Sequence, residues 1–152
     1  MAHRWTPRRG AERLVAELGQ DATLACLGRL VAGEISPNEL VVEPWDQVLI
    51  HVGDGHAARL DIANPLLRYW TRSWAARALA YVGDASSLGW LRRALGDDHW
   101  RVRMTAAQSI GRLAEAGLDV TSARRRLALL LDDEHPRVSA AAELALERAG
   151  PG

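Results

Sequence analysis

Asp97-Asp98-His99-Trp100-Arg101-Val102-Arg103-Met104-Thr105-Ala106-Ala107-Gln108-Ser109-Ile110-Gly111-Arg112-Leu113 decides the fold, because a version of this stretch recurs on either side of it. Downstream, Asp132-Asp133-Glu134-His135-Pro136-Arg137-Val138 leads into Ala141-Ala142-Glu143-Leu144-Ala145-Leu146. Upstream, Thr71-Arg72-Ser73-Trp74 leads into Ala75-Ala76-Arg77-Ala78-Leu79. Aligning Thr71, Val102 and Val138 gives spacings of 31 and 36 residues. A small residue then falls four positions on (Ala75, Ala106, Ala142) and again seven on (Ala78, Ser109, Ala145), with an aliphatic at eight (Leu79, Ile110, Leu146). These offsets share one face of a helix, and small residues at its centre let a neighbouring helix approach closely. Self-similarity at this period predicts a helical solenoid.

Working outward, Asn64-Pro65 opens a helix expected to run to Val82, turned at Gly83-Asp84. Helices are expected over 85–95, from the central motif to Glu115, over 122–131 and over 136–148. The longer connection 117–121 accounts for the wider second spacing. The pattern is about three antiparallel helix pairs with acidic turns. In the last helix, Arg137, Glu143 and Glu147 are available outward, so it is expected to cap the stack itself. An apolar outer face there would instead favour a homo-oligomer.

Residues 1–64 read as a helical N-terminal cap region and 65–150 as repeats, within one domain over 1–152. Thr6 and Pro7 cap and start a helix to Leu18, and Asp21 is read as the cap of a helix over 22–32. Ser36-Pro37-Asn38-Glu39 is a capping box. Trp45, Val48, Leu49 and Val52 sit at helical spacing over 44–52, although Val48, Ile50 and Val52 before Gly53-Asp54-Gly55 also allow a hairpin. Residues 53–64 are the least regular stretch.

Charge excludes some functions. The chain carries 19 basic and 19 acidic residues, so no global pull towards nucleic acid or membrane is expected. Residues 20–64 are acidic and 65–112 basic in balance. All basic side chains are arginine and phenylalanine is absent, as GC-rich bacterial coding would produce. The six tryptophans must then serve as the large aromatic packing units or stand exposed for a purpose. Cys26 is alone, which excludes a disulfide within the chain and a thiolate metal cluster; it reads as a buried small hydrophobe or a reactive thiol. No run reaches the ~18 apolar residues of a membrane span, and the N-terminus lacks an apolar signal core, so a cytoplasmic protein is expected.

Asp97-Asp98-His99-Trp100-Arg101-Val102-Arg103 with Ala106-Ala107 and Ile110-Gly111 resembles the second helix of a HEAT repeat, and more narrowly the short HEAT-like repeats of phycobilisome lyases. Asp132 to Val138 with Ala141-Ala142 and Leu146 resembles it too and keeps the proline that family favours. The resemblance covers 65–150 and implies an all-α HEAT-like solenoid whose second helices line a concave surface. Arg72, Arg77, Arg103, Gln108 and Arg112, with Trp100, are thereby expected on or near one face. Most members of that family bind proteins, some bind nucleic acid and a few support chemistry, so membership alone does not assign an activity.

A rigid arginine and tryptophan surface suits a protein or peptide partner, with an acidic segment as the expected ligand. Against that stands a structural role, in which Arg101 and Arg103 pair with Asp97-Asp98-type turns in the adjacent unit. Trp45, Trp70 and Trp74 beside His51 or His56 are the lining expected of a ligand pocket in a small tailoring or lyase-like enzyme, the rival reading. His51, Asp54, His56 and Asp61 lack a spacing diagnostic of a metal site. Alkylpurine DNA glycosylases use HEAT-like repeats with a basic concave face, but zero net charge argues against nucleic acid here. There is no nucleophile elbow, no phosphate-cradling glycine loop and no cysteine beside a histidine. The sequence therefore predicts a non-catalytic interaction module with no cofactor and no metal.

Overall fold

The structure, a computed structural model, describes residues 4–151. α1 (Pro7–Leu18) begins where the Thr6 hydroxyl accepts from the Arg9 amide at 3.2 Å. Its buried edge is Gly10, Ala11 and Leu14. Gly19 alone joins α1 to α2 (Gln20–Val31), a reversal that needs its φ of 86°, which glycine adopts without steric cost. Asp21 therefore lies inside the first turn of α2 instead of capping it, placed to favour the positive end of the helix dipole. Leu24, Leu27, Leu30 and Val31 make its buried face.

Ser36 and Glu39 close the expected capping box around α3 (Pro37–Leu40). α4 (Trp45–Gly53) takes the helical alternative, since only a helix puts Trp45, Val48, Leu49 and Val52 together on the buried side. Within the stretch read as irregular, α5 (Gly55–Arg59) forms a short helix that buries Ala57.

The repeats follow. The Asn64 side chain accepts from the Leu66 amide at 3.0 Å, and residues 65–67 form a 3-10 turn. This shortens the expected helix to α6 (Tyr69–Val82). α7 (Leu88–Ala94) and α9 (Arg124–Leu129) are also trimmed by flanking 3-10 turns, whereas α8 (Trp100–Glu115) and α10 (Pro136–Ala149) match their expected spans within a residue. No strand occurs among the described residues.

α1, α6, α8 and α10 lie side by side in that order, forming a layer of long helices. α2 covers α6 and meets α7, α7 packs on α8 and α9 on α10, so the second layer is staggered over the first. α4 packs against α1 and α6 and closes the N-terminal end with α3 and α5. One continuous core runs from Ala11 to Ala145. The architecture is an all-α helical-repeat solenoid with a helical N-terminal cap.

Small side chains set the spacing within the long layer. Ala75, Ala76, Ala106, Ala107 and Ala142 are fully buried. Close approach allows buried hydroxyls to reach the next backbone: Ser109 Oγ donates to the Ala76 carbonyl at 2.8 Å, and the Ser73 and Thr105 hydroxyls share a 2.9 Å bond. A Cβ placed on Gly111 would stand 3.3 Å from Ala145 Cα.

The face each long helix turns towards the next changes along the chain. In register it carries Arg72, Ala76 and Ala80 on α6, then Arg103, Ala107 and Gly111 on α8, then Ser139, Glu143 and Glu147 on α10. Two exposed carboxylates thus replace the small residues on the outgoing face of α10. That face is polar, as expected of a helix that caps the stack.

Ala106 is the most stringent check on the register. Ala106→Leu is expected to destabilise the fold by roughly 1–3 kcal/mol through overpacking, read by urea denaturation, with the denaturant slope unchanged.

Candidate functional site

Both repeat turns are built from an aspartate, a histidine and an incoming arginine. Asp97 Oδ1 accepts from the His99 amide at 2.9 Å, and His99 Nδ1 accepts from the Arg101 amide at 3.1 Å, capping α8. Asp133, His135 and Arg137 repeat the arrangement at 2.9 and 3.2 Å, capping α10. The remaining acceptor capacity of each aspartate takes an arginine from the previous long helix. Arg72 donates from Nε and Nη2 to Asp97 at 2.8 and 3.0 Å, and Arg103 to Asp133 at 2.9 and 3.1 Å. Arg103 also donates from Nη1 to the Asp97 and Asp98 carbonyls, so one guanidinium ties its own turn to the next. Its side chain is 12% exposed and that of Asp133 is 8%, which keeps the pair largely out of solvent screening.

A second column runs beside this ladder. Tyr69 stacks on His99 with centroids 3.5 Å apart, and Trp100 on His135 at 3.8 Å, each pair nearly parallel. Tyr69 and Trp100 occupy the same register position, so each aromatic covers the capping histidine of the following unit.

Turn, ion pair, cap and stack thus recur as a set at one register. The sequence profile of the HEAT repeats matches residues 61–148, more than half of the chain. The chain belongs to the HEAT-repeat family. No curated protein matches the sequence.

Within this HEAT array the expected site residues separate. Arg72 and Arg103 each give Nε and Nη2 to a ladder aspartate, so they position the repeats. Arg77 is half-buried beneath the N-terminal cap: its Nη2 donates to the Val52 carbonyl at 2.9 Å, its guanidinium lies 5.8 Å from the Trp5 ring centroid, and its Nε is buried without a partner. Gln108 and Arg112 are exposed, one turn apart on α8. Trp100 is half-buried in the stack.

Of the residues expected to line a ligand pocket, Trp70 and Trp74 meet ring to ring, and among the described residues no cleft gathers them with Trp45, His51 and His56. Trp74 is 6% exposed, with its ring packed against Gly53, and Trp45 is 7% exposed in the core. Trp70 is half-buried and stacks on Trp74. His51 donates from Nδ1 to the Gln47 carbonyl at 2.7 Å and sets Nε2 3.2 Å from Glu17, while His56 points to solvent. A cleft of about 440 Å³ near the N-terminal cap is lined by Leu30, Ile35, Leu40, Arg68, Thr71 and Arg72 among others, with no tryptophan. Among the described residues no three His, Cys, Asp or Glu side chains are grouped to hold a metal ion, and no helix is long and apolar enough to cross a membrane. Cys26 is partly buried, and desolvation pushes its thiol above the ordinary range despite nearby Arg29. That favours the inert alternative over the reactive one.

Sequence reasoning missed Arg101. Expected to reach a carboxylate, it instead lies over two rings, 5.0 Å from Trp70 and 4.6 Å from Trp100, and makes no ion pair among the described residues. The usable signal was the register, in which Arg101 aligns with Trp70 in place of the ladder position.

Two groups at these joints, His99 and Asp133, are shifted from their ordinary values. Burial is the largest effect on His99 and lowers its imidazole pKa; Arg72 adds to this, Asp97 opposes it, and Arg101 and Arg103 lower it further. Burial alone would raise the Asp133 carboxyl, but hydrogen bonds from Arg103 and the His135 amide outweigh it and hold the value below the usual carboxylate range. Both groups therefore contribute stability that is complete above their unfolded values, about 6.5 and 3.9, and is lost as pH falls through the lower folded values. Denaturation between pH 7.5 and 5 is expected to show falling stability that His99→Asn flattens, since asparagine caps without titrating. At pH 7, Arg103→Ala is expected to lower stability by roughly 1.5–3 kcal/mol, with Arg103→Lys failing to restore it, because a lysine cannot reproduce the fork and the two carbonyl bonds.

Proposed function

We propose that this HEAT-repeat chain is a non-catalytic interaction module that docks an acidic protein segment along the long-helix face. HEAT repeats generally act as protein-interaction scaffolds, and the finer assignment rests on one observation: the Arg101 guanidinium lies over two tryptophan rings and makes no ion pair among the described residues. An arginine fixed in this way loses little side-chain freedom when it meets an anion, so less of the interaction energy is spent on ordering. Trp70 and Trp100 supply the large amphipathic contact that commonly dominates binding energy at such surfaces.

From Arg101 one side of α8 continues through the half-buried Met104 to the exposed Gln108 and Arg112. These offsets place a cation, a soft apolar contact, an amide and a second cation along about three turns of helix. An extended or helical segment carrying aspartate or glutamate suits that sequence of groups. Arg72 and Arg103 serve the same function indirectly, by fixing the angle between the helices that present it. Leu144, 44% exposed at the register position of Gln108, extends the face onto α10 with an apolar contact.

The test is a fluorescence-anisotropy titration of a labelled peptide rich in aspartate and glutamate against the wild type and Arg101→Glu/Arg112→Glu. Wild-type binding should weaken with added salt, and the double variant should lose about 10- to 100-fold in affinity at unchanged thermal stability. Equal binding by both proteins would remove this face as the docking surface.

A further inference from the structure

One cluster on the long-helix face has more positive charge than an aspartate or glutamate side chain can neutralise. Tyr81, near the end of α6, has two guanidiniums beside its ring: Arg8 from α1 at 5.3 Å from the centroid and Arg112 from α8 at 5.4 Å. Arg77 lies one turn back from Tyr81 on the same helix. Two helices therefore bring Arg8 and Arg112 to the ring of one phenol, and a third carries Arg77 close enough for Tyr81 to act on its charge. None of the three makes an ion pair with a carboxylate among the described residues, in contrast to Arg72, Arg103 and Arg148.

Arg77 is the member that asks for an explanation. Desolvation is the chief influence on it and lowers its pKa, with Tyr81 acting in the opposite direction. Its Nη2 bonds to the Val52 carbonyl, but its Nε is buried without a partner. A partly desolvated cation lacking both a counter-charge and a full set of acceptors is unfavourable, and an anion brought alongside relieves that cost. Planar guanidinium forks match the oxygens of a tetrahedral oxyanion, and the Tyr81 hydroxyl adds a further donor.

We propose that Arg8, Arg77 and Arg112 around Tyr81 form a binding site for a phosphoryl group carried on the docked segment, a proposal that rests on the interaction reading above. A carboxylate brings one negative charge and two oxygens, whereas a phosphorylated side chain brings about −1.5 to −2 and three acceptor oxygens, which suits a group of arginines without carboxylate partners better. The position fits the docking path, because Arg112 lies one turn beyond Gln108 on α8. A segment engaged at Arg101 that follows α8 carries its later residues to this cluster. Docking would then be graded by phosphorylation, with the acidic side chains supplying basal affinity and the phosphoryl group an increment.

The experiment compares two labelled acidic peptides, identical except for one phosphoserine, against the full chain and Arg8→Gln. Arg8 is exposed and outside the ladder, so its replacement leaves the fold intact. The phosphopeptide should bind about tenfold more tightly than its unphosphorylated form, and Arg8→Gln should abolish that increment while leaving the unphosphorylated peptide unaffected. In parallel, the arginine Nε–H resonances are followed by NMR during titration with inorganic phosphate and, at matched ionic strength, acetate. The Arg77 signal should move saturably with phosphate and little with acetate, with Arg125 on α9 as an unmoved control.

Equal affinity for the two peptides, or Arg77 and Arg125 signals that drift together without saturating, would overturn the phosphoryl site and leave docking intact. A saturable phosphate shift at Arg77 with no binding of either peptide would overturn the docking reading and with it a phosphoryl group carried on a segment. The site would then belong to free phosphate.

Discussion

The two-pronged bond from an arginine on one long helix to the aspartate of the next turn is the constraint on which the array depends. Arg72 to Asp97 and Arg103 to Asp133 are the same interaction made twice, and each aspartate also orders the histidine that caps its helix. One carboxylate thereby fixes three things together: where the helix starts, how far it lies from its neighbour, and which way its first side chains point. The aromatic stack on the capping histidine strengthens the same joint with apolar contact. Hydrophobic burial between alanine-rich faces supplies cohesion, but such faces are smooth and permit sliding. The ladder removes that freedom by allowing a single register.

This division of labour explains how much was legible beforehand. The period of the small residues fixed helix type, order and approximate length, because close packing of long helices leaves that mark in any sequence that uses it. The spans of α8 and α10 followed from a capping residue at one end and the end of the pattern at the other. The shorter helices were harder. α7 is entered, and α9 is both entered and left, through 3-10 turns too short to show a helical period, and α5 depends on Asp54 taking a positive φ.

The candidate site was less legible because side-chain partners depend on angle as well as spacing. Arg101 and Arg103 are two residues apart on one helix, and both were reasonable partners for an acidic turn. The structure gives the turn to Arg103 and the tryptophans to Arg101. Likewise Arg77 aligns with Gln108, yet the first is half-buried with Val52 and Trp5 beside its guanidinium while the second is open to solvent. What separates them is the N-terminal cap, whose position along the layer has no counterpart in the repeats. Tyr81 was overlooked for the same reason, since its neighbours Arg8 and Arg112 lie far from it in the chain.

The outgoing face of α10 bears on how a protein of this kind can lengthen. Where α6 and α8 offer an arginine and small residues to the next helix, α10 offers Ser139, Glu143 and Glu147, and Pro136 stands where Tyr69 and Trp100 supply a stacking ring. A unit fused behind α10 would find neither an ion-pair donor nor an aromatic cover, and it would have to bury two carboxylates against its own apolar side. Growth by duplication is therefore open only inside the array, for instance by copying the stretch from α7 through α8, where both joining surfaces are already complementary. Added units are then expected between α6 and α10, with the polar outgoing face of α10 kept.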